Sequence, residues 1–188
     1  MYYYINKYSY KNKKMIKEKK IQVVLLGDSA VGKTSILRRI RDRTFNDDEF
    51  VTIAVEYFYI HRKYERTNTL INLECIDSNG RETSIFLSLH YISKCHIILL
   101  VFSNVETLNI LIERWHKYYK NKINIDSKIF LIGNKSDIFG DEREEIMKLG
   151  REFAEEIDAF FITCSAKNGE NIDNVERFII TEANRITN

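Results

Sequence analysis

A glycine-rich loop between an apolar run and a helical run constrains this chain more than any other feature. The apolar run Ile21–Leu26 is followed by Gly27-Asp28-Ser29-Ala30-Val31-Gly32-Lys33-Thr34-Ser35. Glycines in such a loop let backbone N–H groups point at phosphate oxygens, beside the positive end of the next helix. The lysine would reach the β and γ phosphates, and the Thr34 hydroxyl suits Mg²⁺. The loop therefore predicts a nucleotide-phosphate and magnesium site; the alternative is a glycine turn that merely starts a helix.

The hydrophobic pattern predicts an α/β fold. Six β-branched runs are predicted as strands: Ile21–Leu26, Ala54–Ile60, Leu70–Ile76, His96–Phe102, Lys128–Ile132 and Phe160–Cys164. Three apolar stripes have helical spacing: Leu108, Leu111, Ile112, Trp115 and Tyr119; Ile146, Leu149, Phe153 and Ile157; and Ile172, Val175, Ile179 and Ala183.

The order of these elements predicts the topology. The second and third strands follow each other without a helix, across the polar stretch Arg62 to Asn68, which predicts an antiparallel hairpin. Elsewhere a helical run separates the strands, which predicts parallel crossovers. We expect three layers, a six-stranded mostly parallel sheet with one antiparallel strand, and about five helices. Ligands bind at the carboxyl ends of the strands in such a sheet.

Length and charge limit the organisation of the chain. Its 188 residues suit one compact domain. Residues 1–20 carry seven lysines against Glu18, and the remainder has a net charge of −4. We expect a flexible basic extension over 1–20 and one folded domain over 21–188. A basic stripe on the folded body is not indicated, so no nucleic-acid partner is expected, although the extension could touch anionic lipid.

Two further motifs follow the fifth and sixth predicted strands. They are Asn134-Lys135-Ser136-Asp137 and Ser165-Ala166-Lys167. Together with the glycine-rich loop, they make the chain resemble the Ras superfamily of small GTPases, which implies that the nucleotide is GTP or GDP. By the resemblance, Asp137 accepts two hydrogen bonds from guanine, Asn134 supports the loops, Lys135 and Lys167 cover the base, and the Ala166 N–H meets the guanine oxygen.

The same resemblance assigns two switch segments. Phe45 would meet the edge of the base, Thr52 would sense Mg²⁺ and the γ-phosphate, and Ile53 to Tyr57 is similar to a Rab effector stretch. In the segment Ile76-Asp77-Ser78-Asn79-Gly80-Arg81-Glu82, Rab relatives read WDTAGQE, so Asp77 would hold a magnesium-bound water and Gly80 the γ-phosphate. Tyr91 is retained from a further Rab-like segment. The metal set implied is Thr34, Thr52 and Asp77.

Arg81 departs from the family at the position of the glutamine that orients the attacking water. A guanidinium group has no acceptor and cannot polarise water as a base. We therefore expect slow GTP hydrolysis, with Gly80 and Arg81 as the residues concerned. A non-cycling GTP-binding scaffold is the alternative for function, and an ATP-using P-loop enzyme is a third.

The resemblance also implies partners and a place in the cell. A Rab-like protein would bind a guanine nucleotide exchange factor, effectors and a GTPase-activating protein, and would act as a monomer in vesicle traffic. Cys75, Cys95 and Cys164 form no CxxC pair, which favours a reducing cytosol over a disulfide framework. The terminal residues Thr187-Asn188 include no cysteine for prenylation. We expect a cytoplasmic protein, with peripheral contact to endomembranes left open.

Overall fold

The computed structural model describes residues 16–47, 55–78 and 85–186, with the backbone alone at 85–88. In these ranges the strands are β1 (Lys17–Leu26), β2 (Glu56–Tyr64), β3 (Thr69–Asp77), β4 (Ile97–Phe102), β5 (Lys128–Gly133) and β6 (Phe160–Thr163). The helices are α1 (Lys33–Asp42), α2 (Ile85–Ile92), α3 (Val105–Arg114), α4 (Arg143–Glu156) and α5 (Ile172–Arg185). In this part of the chain, no helix has the length and apolar character needed to cross a membrane.

The strands form one sheet in the order β2-β3-β1-β4-β5-β6. β1 pairs in parallel with both β3 and β4, and β5 pairs in parallel with β4 and β6. β2 runs antiparallel to β3 at the edge of the sheet. The predicted mostly parallel sheet with one antiparallel strand is confirmed. The loops that leave β1, β3, β5 and β6 therefore emerge at one edge, where a ligand can contact all of them.

Helices cover both faces of the sheet and make two apolar cores. α1 and α5 pack on one face, and α3 and α4 pack on the other. Because both faces are covered, all six residues of β4 are buried. The predicted stripes are the buried faces of their helices, and these members are 9% exposed or less: Leu108, Leu111, Trp115, Tyr119, Ile146, Phe153, Ile157, Ile172, Val175, Ile179 and Ala183.

The first strand begins earlier than predicted. Ordered pairing starts at Lys17, opposite Thr69 of β3, so the expectation that residues 1–20 are a flexible extension is wrong for Lys17 to Lys20. Lys19 is only 5% exposed, and its ammonium group donates to the carbonyl oxygens of Asn184 and Ile186 at the end of α5. From the sequence, Lys19 is expected to be exposed to solvent, because the carbonyl oxygens that accept its hydrogen bonds lie at the other end of the chain.

The hairpin is also longer than predicted. β2 continues to Tyr64, so the polar stretch from Arg62 is partly strand and the turn is confined to 65–68. Arg62 can lie in a strand because its guanidinium group donates to Glu176 of α5 at 2.5 Å and to the carbonyl oxygen of Ile40 at 2.7 Å. A partner on α5 thus accounts for a strand residue that looks like part of a loop.

A π-helical turn follows α3 directly. It spans Trp115–Tyr119, and the Lys120 N–H donates to the carbonyl oxygen of Trp115 at 3.1 Å. α2 packs against this turn. Such turns insert one residue into a helix and occur often at functional sites.

Candidate functional site

Two glycines shape the loop between β1 and α1. Gly27 has φ +151°, and a Cβ added there would lie 2.1 Å from the carbonyl oxygen of Val101. Gly32 has φ +91°, and its added Cβ would lie 2.2 Å from Nδ2 of Asn134. The loop is therefore pressed against β4 on one side and against the loop after β5 on the other. A side chain at either position would push the loop out of this arrangement.

Lys33 begins α1 and lies over the loop that precedes it. It is 5% exposed, and its Nζ donates to the carbonyl oxygens of Asp28 at 2.8 Å and Gly27 at 3.2 Å. Burial lowers the pKa of Lys33 to about 8, while the carboxylates of Asp77 and Asp28 oppose that shift. The residue also lines the cavity described below. A largely buried ammonium group of this kind binds anions strongly because little water screens it.

Thr34 and Asp77 bring a hydroxyl and a carboxylate together at the same edge. Thr34 Oγ1 donates to Asp77 Oδ2 at 2.5 Å. Asp77 is fully buried, and its Oδ1 has no hydrogen-bond partner among the residues that the structure describes. Burial raises the pKa of Asp77 to about 6, against the opposing effects of the Thr34 hydroxyl and the Lys33 charge. A carboxylate oxygen without a protein donor, beside a hydroxyl, is a donor set that fits Mg²⁺.

Asn134 joins three loops. Its side chain is buried, and Nδ2 donates to the carbonyl oxygen of Val31 at 2.9 Å. Its Oδ1 accepts a hydrogen bond from the Ala166 N–H at 3.0 Å and faces the Cys164 thiol at 3.7 Å. The amide therefore fixes the loop after β1 and the loop after β6 to the end of β5, through one donated and one accepted hydrogen bond.

Asp137 stands at the wall of the same site. Lys135 adopts a left-handed conformation, with φ +62°, which turns the chain after β5. Ser165 Oγ donates to Asp137 Oδ1 at 2.5 Å, and the buried Ser136 donates to Glu170 at 2.8 Å. Asp137 itself is exposed, so its carboxylate can accept a pair of donors from a ligand.

These loops enclose a cavity of about 380 Å³. Its lining combines the loop after β1, the segment after α1, the end of β3 and the loops after β5 and β6: Ser29, Ala30, Gly32, Lys33, Thr34, Ser35, Phe45, Asn46, Asp47, Ser78, Asn134, Lys135, Asp137, Ile138, Ala166 and Lys167. A volume of this size suits a small-molecule ligand. Asp47 and Lys167 form an ion pair at 3.3 Å across its mouth.

The structure brings most of the predicted site residues together. Four of them do not line the cavity, and each instead contacts a residue that does: Asp28, Val31, Asp77 and Ser165. Thr52, Gly80 and Arg81 lie outside the described residues. Four residues line the cavity but were not predicted as site residues: Asn46, Asp47, Ser78 and Ile138. Their positions directly after Phe45, Asp77 and Asp137 are the only signal in the sequence that could have indicated them.

The loop geometry and sheet order together define a small GTPase domain, and the comparisons with known proteins agree. A model described as the Ras family matches residues 22–185, and the chain belongs to that family. Ras-related protein SEC4 of Candida albicans is 30% identical over 158 residues, covering 82% of this chain and 73% of that protein. Ras-related protein Rab-11B of Dictyostelium discoideum is 32% identical over 155 residues, covering 81% of this chain and 68% of that protein. Human Ras-related protein Rab-12 is 31% identical over 159 residues, covering 83% of this chain and 64% of that protein.

Several of these similar proteins bear Rab names, and the chain is accordingly a Rab-like GTPase within the Ras superfamily. The comparisons confirm the prediction, made from the sequence motifs, that the chain is a Rab-like member of the Ras superfamily. Members of this family bind guanine nucleotide with Mg²⁺, which is the chemistry that the cavity offers.

Proposed function

We propose that this chain is a GTP- and GDP-binding switch with slow hydrolysis, acting in vesicle traffic. The observation that carries the proposal is one cavity whose wall contains Lys33 and Thr34 at one end and Asp137 and Ala166 at the other. Lys33 and Thr34 are suited to phosphates and a hard cation. Asp137 and Ala166 are suited to a base that carries adjacent hydrogen-bond donors and an acceptor. A nucleotide is the ligand that presents both chemistries at once.

The base end supports guanine. The exposed carboxylate of Asp137 would accept hydrogen bonds from the ring N–H and the amino group of guanine, which adenine does not offer as a pair. Ser165 holds one oxygen of that carboxylate. The Ala166 N–H, which the resemblance assigns to the guanine oxygen, donates to Asn134 Oδ1 at 3.0 Å in this structure. It would therefore meet the guanine oxygen only as a donor shared with Asn134. The resemblance assigns Lys135 and Lys167 to the two faces of the base.

The phosphate end supports magnesium. Thr34 would supply its hydroxyl directly, and Asp77 would bind through water with Oδ1, which has no donor among the described residues. When bound, Mg²⁺ would neutralise charge on the terminal phosphates. Lys33 would add a second positive charge and keep water out of the loop. The resemblance adds Thr52 and Gly80 as residues that respond to the γ-phosphate.

Slow hydrolysis is proposed from the sequence at residue 81. Arg81 has only donors, so it cannot take the role of the glutamine that orients water in the family. The test is single-turnover hydrolysis of bound GTP by the wild type and by Arg81→Gln. We expect a rise of about tenfold or more in Arg81→Gln, with unchanged affinity for GDP. Equal rates in the two proteins would refute the role given to Arg81.

A scaffold that binds GTP without cycling is the second candidate, and Arg81 favours it too. Identification of the nucleotide retained after purification separates the two. A cycling protein should carry mostly GDP, whereas a scaffold should carry GTP and show no measurable turnover. Retained ATP, or displacement of GDP by ATP at comparable concentration, would contradict both and support an ATP-using enzyme.

Partners are proposed for the edge of the sheet. The exposed Tyr57 and Tyr59 of β2 are 46% and 57% exposed. The Tyr57 hydroxyl lies 2.6 Å from the hydroxyl of Tyr91, which joins β2 to α2. Exposed aromatic side chains held in place are suited to protein contacts. We expect effectors, an exchange factor and a GTPase-activating protein to use this face, with a monomeric protein at endomembranes.

A further inference from the structure

An arginine on α3 is paired with the loop that would hold the phosphates. Arg114 Nη1 lies 3.1 Å from Asp28 Oδ1, and the two side chains are 13% and 27% exposed. Most ion pairs of the described chain are more open, such as Arg41 with Asp42, where both side chains are 39% exposed. The Arg114 pair is shielded enough for the loss of one partner to leave a poorly solvated charge.

Asp28 is held from two sides. Its carbonyl oxygen accepts from Lys33 Nζ at 2.8 Å, while its carboxylate accepts from Arg114. The residues that follow, Ser29 and Ala30, line the cavity. The direction in which the loop presents its backbone N–H groups thus depends on a residue that is fixed at both its main chain and its side chain.

Arg114 lies directly before the π-helical turn. It is the last residue of α3, and the π-helical turn begins at Trp115. Trp115 is buried and packs edge to face on Phe153, with ring centroids 6.2 Å apart. Two consecutive residues thus have different neighbours, one in the apolar core and one at the loop. α2 packs on the same turn, so α2 and the loop are attached to one segment.

We infer that Arg114 is a positioning residue for phosphate binding: it fixes the loop through Asp28 and so sets the rate at which nucleotide leaves. The inference rests on the proposed guanine-nucleotide function. Binding to a loop already in its bound form costs less conformational entropy than binding to one that must be ordered. Release of GDP should therefore be faster when either partner of the pair is removed.

A simple field effect predicts a different result. If Arg114 only attracted the phosphates by charge, its removal would speed release, but removal of the Asp28 charge would slow release. If the pair positions the loop, Arg114→Gln and Asp28→Asn should both speed release, and the double variant should be no faster than the faster single variant. The direction of the Asp28→Asn effect therefore separates the two explanations.

The experiment is stopped-flow release of a fluorescent GDP from the full chain with Mg²⁺ present. We expect about tenfold faster release from Arg114→Gln and Asp28→Asn, and an intermediate rate from Arg114→Lys, which keeps the charge but not the planar fork. Arg41→Gln is the matched control, because it removes an arginine–aspartate pair at the far end of α1. It should release GDP at the wild-type rate.

Three outcomes would overturn the inference. They are slower release from Asp28→Asn, additive effects in the double variant, and unfolding at lower denaturant concentration with an unchanged release rate, which would make the pair merely structural. Titration of the wild type with GDP comes first. Failure to bind GDP would refute the proposed function and this inference together, whereas normal binding with unaltered release from Arg114→Gln would refute this inference alone.

Discussion

The two ends of the cavity are built in different ways. At the base end, the polar side chains satisfy one another: Asn134 bonds to two loops, and Ser165 bonds to Asp137. At the phosphate end, Lys33 and Asp77 are buried with pKa values moved towards their neutral forms, and one Asp77 oxygen has no protein donor among the described residues. The base end is held by contacts within the protein, whereas the phosphate end holds buried charged groups with a carboxylate oxygen left for a ligand.

The difference implies that substitutions at the two ends fail in different ways. Removing a base-end contact to the ligand should reduce affinity and selectivity for guanine without any dependence on magnesium. Removing a phosphate-end group should change how the protein responds to magnesium. Removing an internal bond of the base end should reduce stability even without nucleotide.

Asp137→Ala should have the largest effect. It removes an acceptor of two charge-assisted hydrogen bonds, each contributing about 1.5–3 kcal/mol, so GDP affinity should fall about 10³-fold. Titration calorimetry with GDP and with ADP measures the change, and the preference for GDP should disappear. Asp141→Asn is the control, because Asp141 is exposed on the same connection and does not line the cavity. A variant that kept its guanine preference would contradict the role given to Asp137.

Asp77→Asn should have the next largest effect. Loss of a group that orients a metal-bound water typically lowers metal affinity about 10–100-fold. Chelation of magnesium should therefore speed GDP release strongly in the wild type and only slightly in the variant. Glu74→Gln on the same strand should respond like the wild type, because Glu74 contacts Gln22 instead of the cavity. An equal response of Asp77→Asn and the wild type would show that the phosphate end does not hold the metal through this residue.

Asn134→Ala should have the smallest direct effect on nucleotide and magnesium binding, since the hydrogen bonds of its side chain lie within the protein. It removes the hydrogen bonds that this side chain makes with the Ala166 N–H and the Val31 carbonyl oxygen, and each bond contributes about 1 kcal/mol. The free energy of unfolding of the nucleotide-free protein should fall by about 2–3 kcal/mol in denaturant titrations. Asn109→Ala, at an exposed position of α3, should change it little. A loss seen only with GDP bound would mean that the base end is not held by protein contacts.

The sequence was sufficient where local geometry restricts residue choice. Gly27 and Gly32 predict the shape of the loop correctly, because a side chain at either position would collide with Val101 or Asn134. Runs that are apolar throughout, such as Ile97–Phe102, predict a central strand because both faces of the sheet are covered. The spacing of Leu108, Leu111, Trp115 and Tyr119 predicts a helix but does not reveal the π-helical turn, since it fits a regular helix as well.

Contacts between distant parts of the chain were not predictable. Lys19 is buried because of carbonyl oxygens at the end of α5, and Arg62 lies in a strand because of Glu176. The Arg114 pair joins residues that are 86 positions apart. No periodicity or motif marks these partners, since the fold alone brings them together.

The hydrogen bonds from Lys19 to the carbonyl oxygens at the end of α5 determine which side of the molecule can be attached to a surface without covering the cavity. The start of β1 and the end of α5 meet at these hydrogen bonds, whereas the cavity lies at the carboxyl ends of the strands. The first described residues of β1 and the last described residues after α5 therefore lie at the same pole of the sheet, opposite the cavity. A fluorophore or surface tether attached beside the Lys19 contact with α5 would leave the mouth of the cavity facing outward, so exchange kinetics can be measured on immobilised protein.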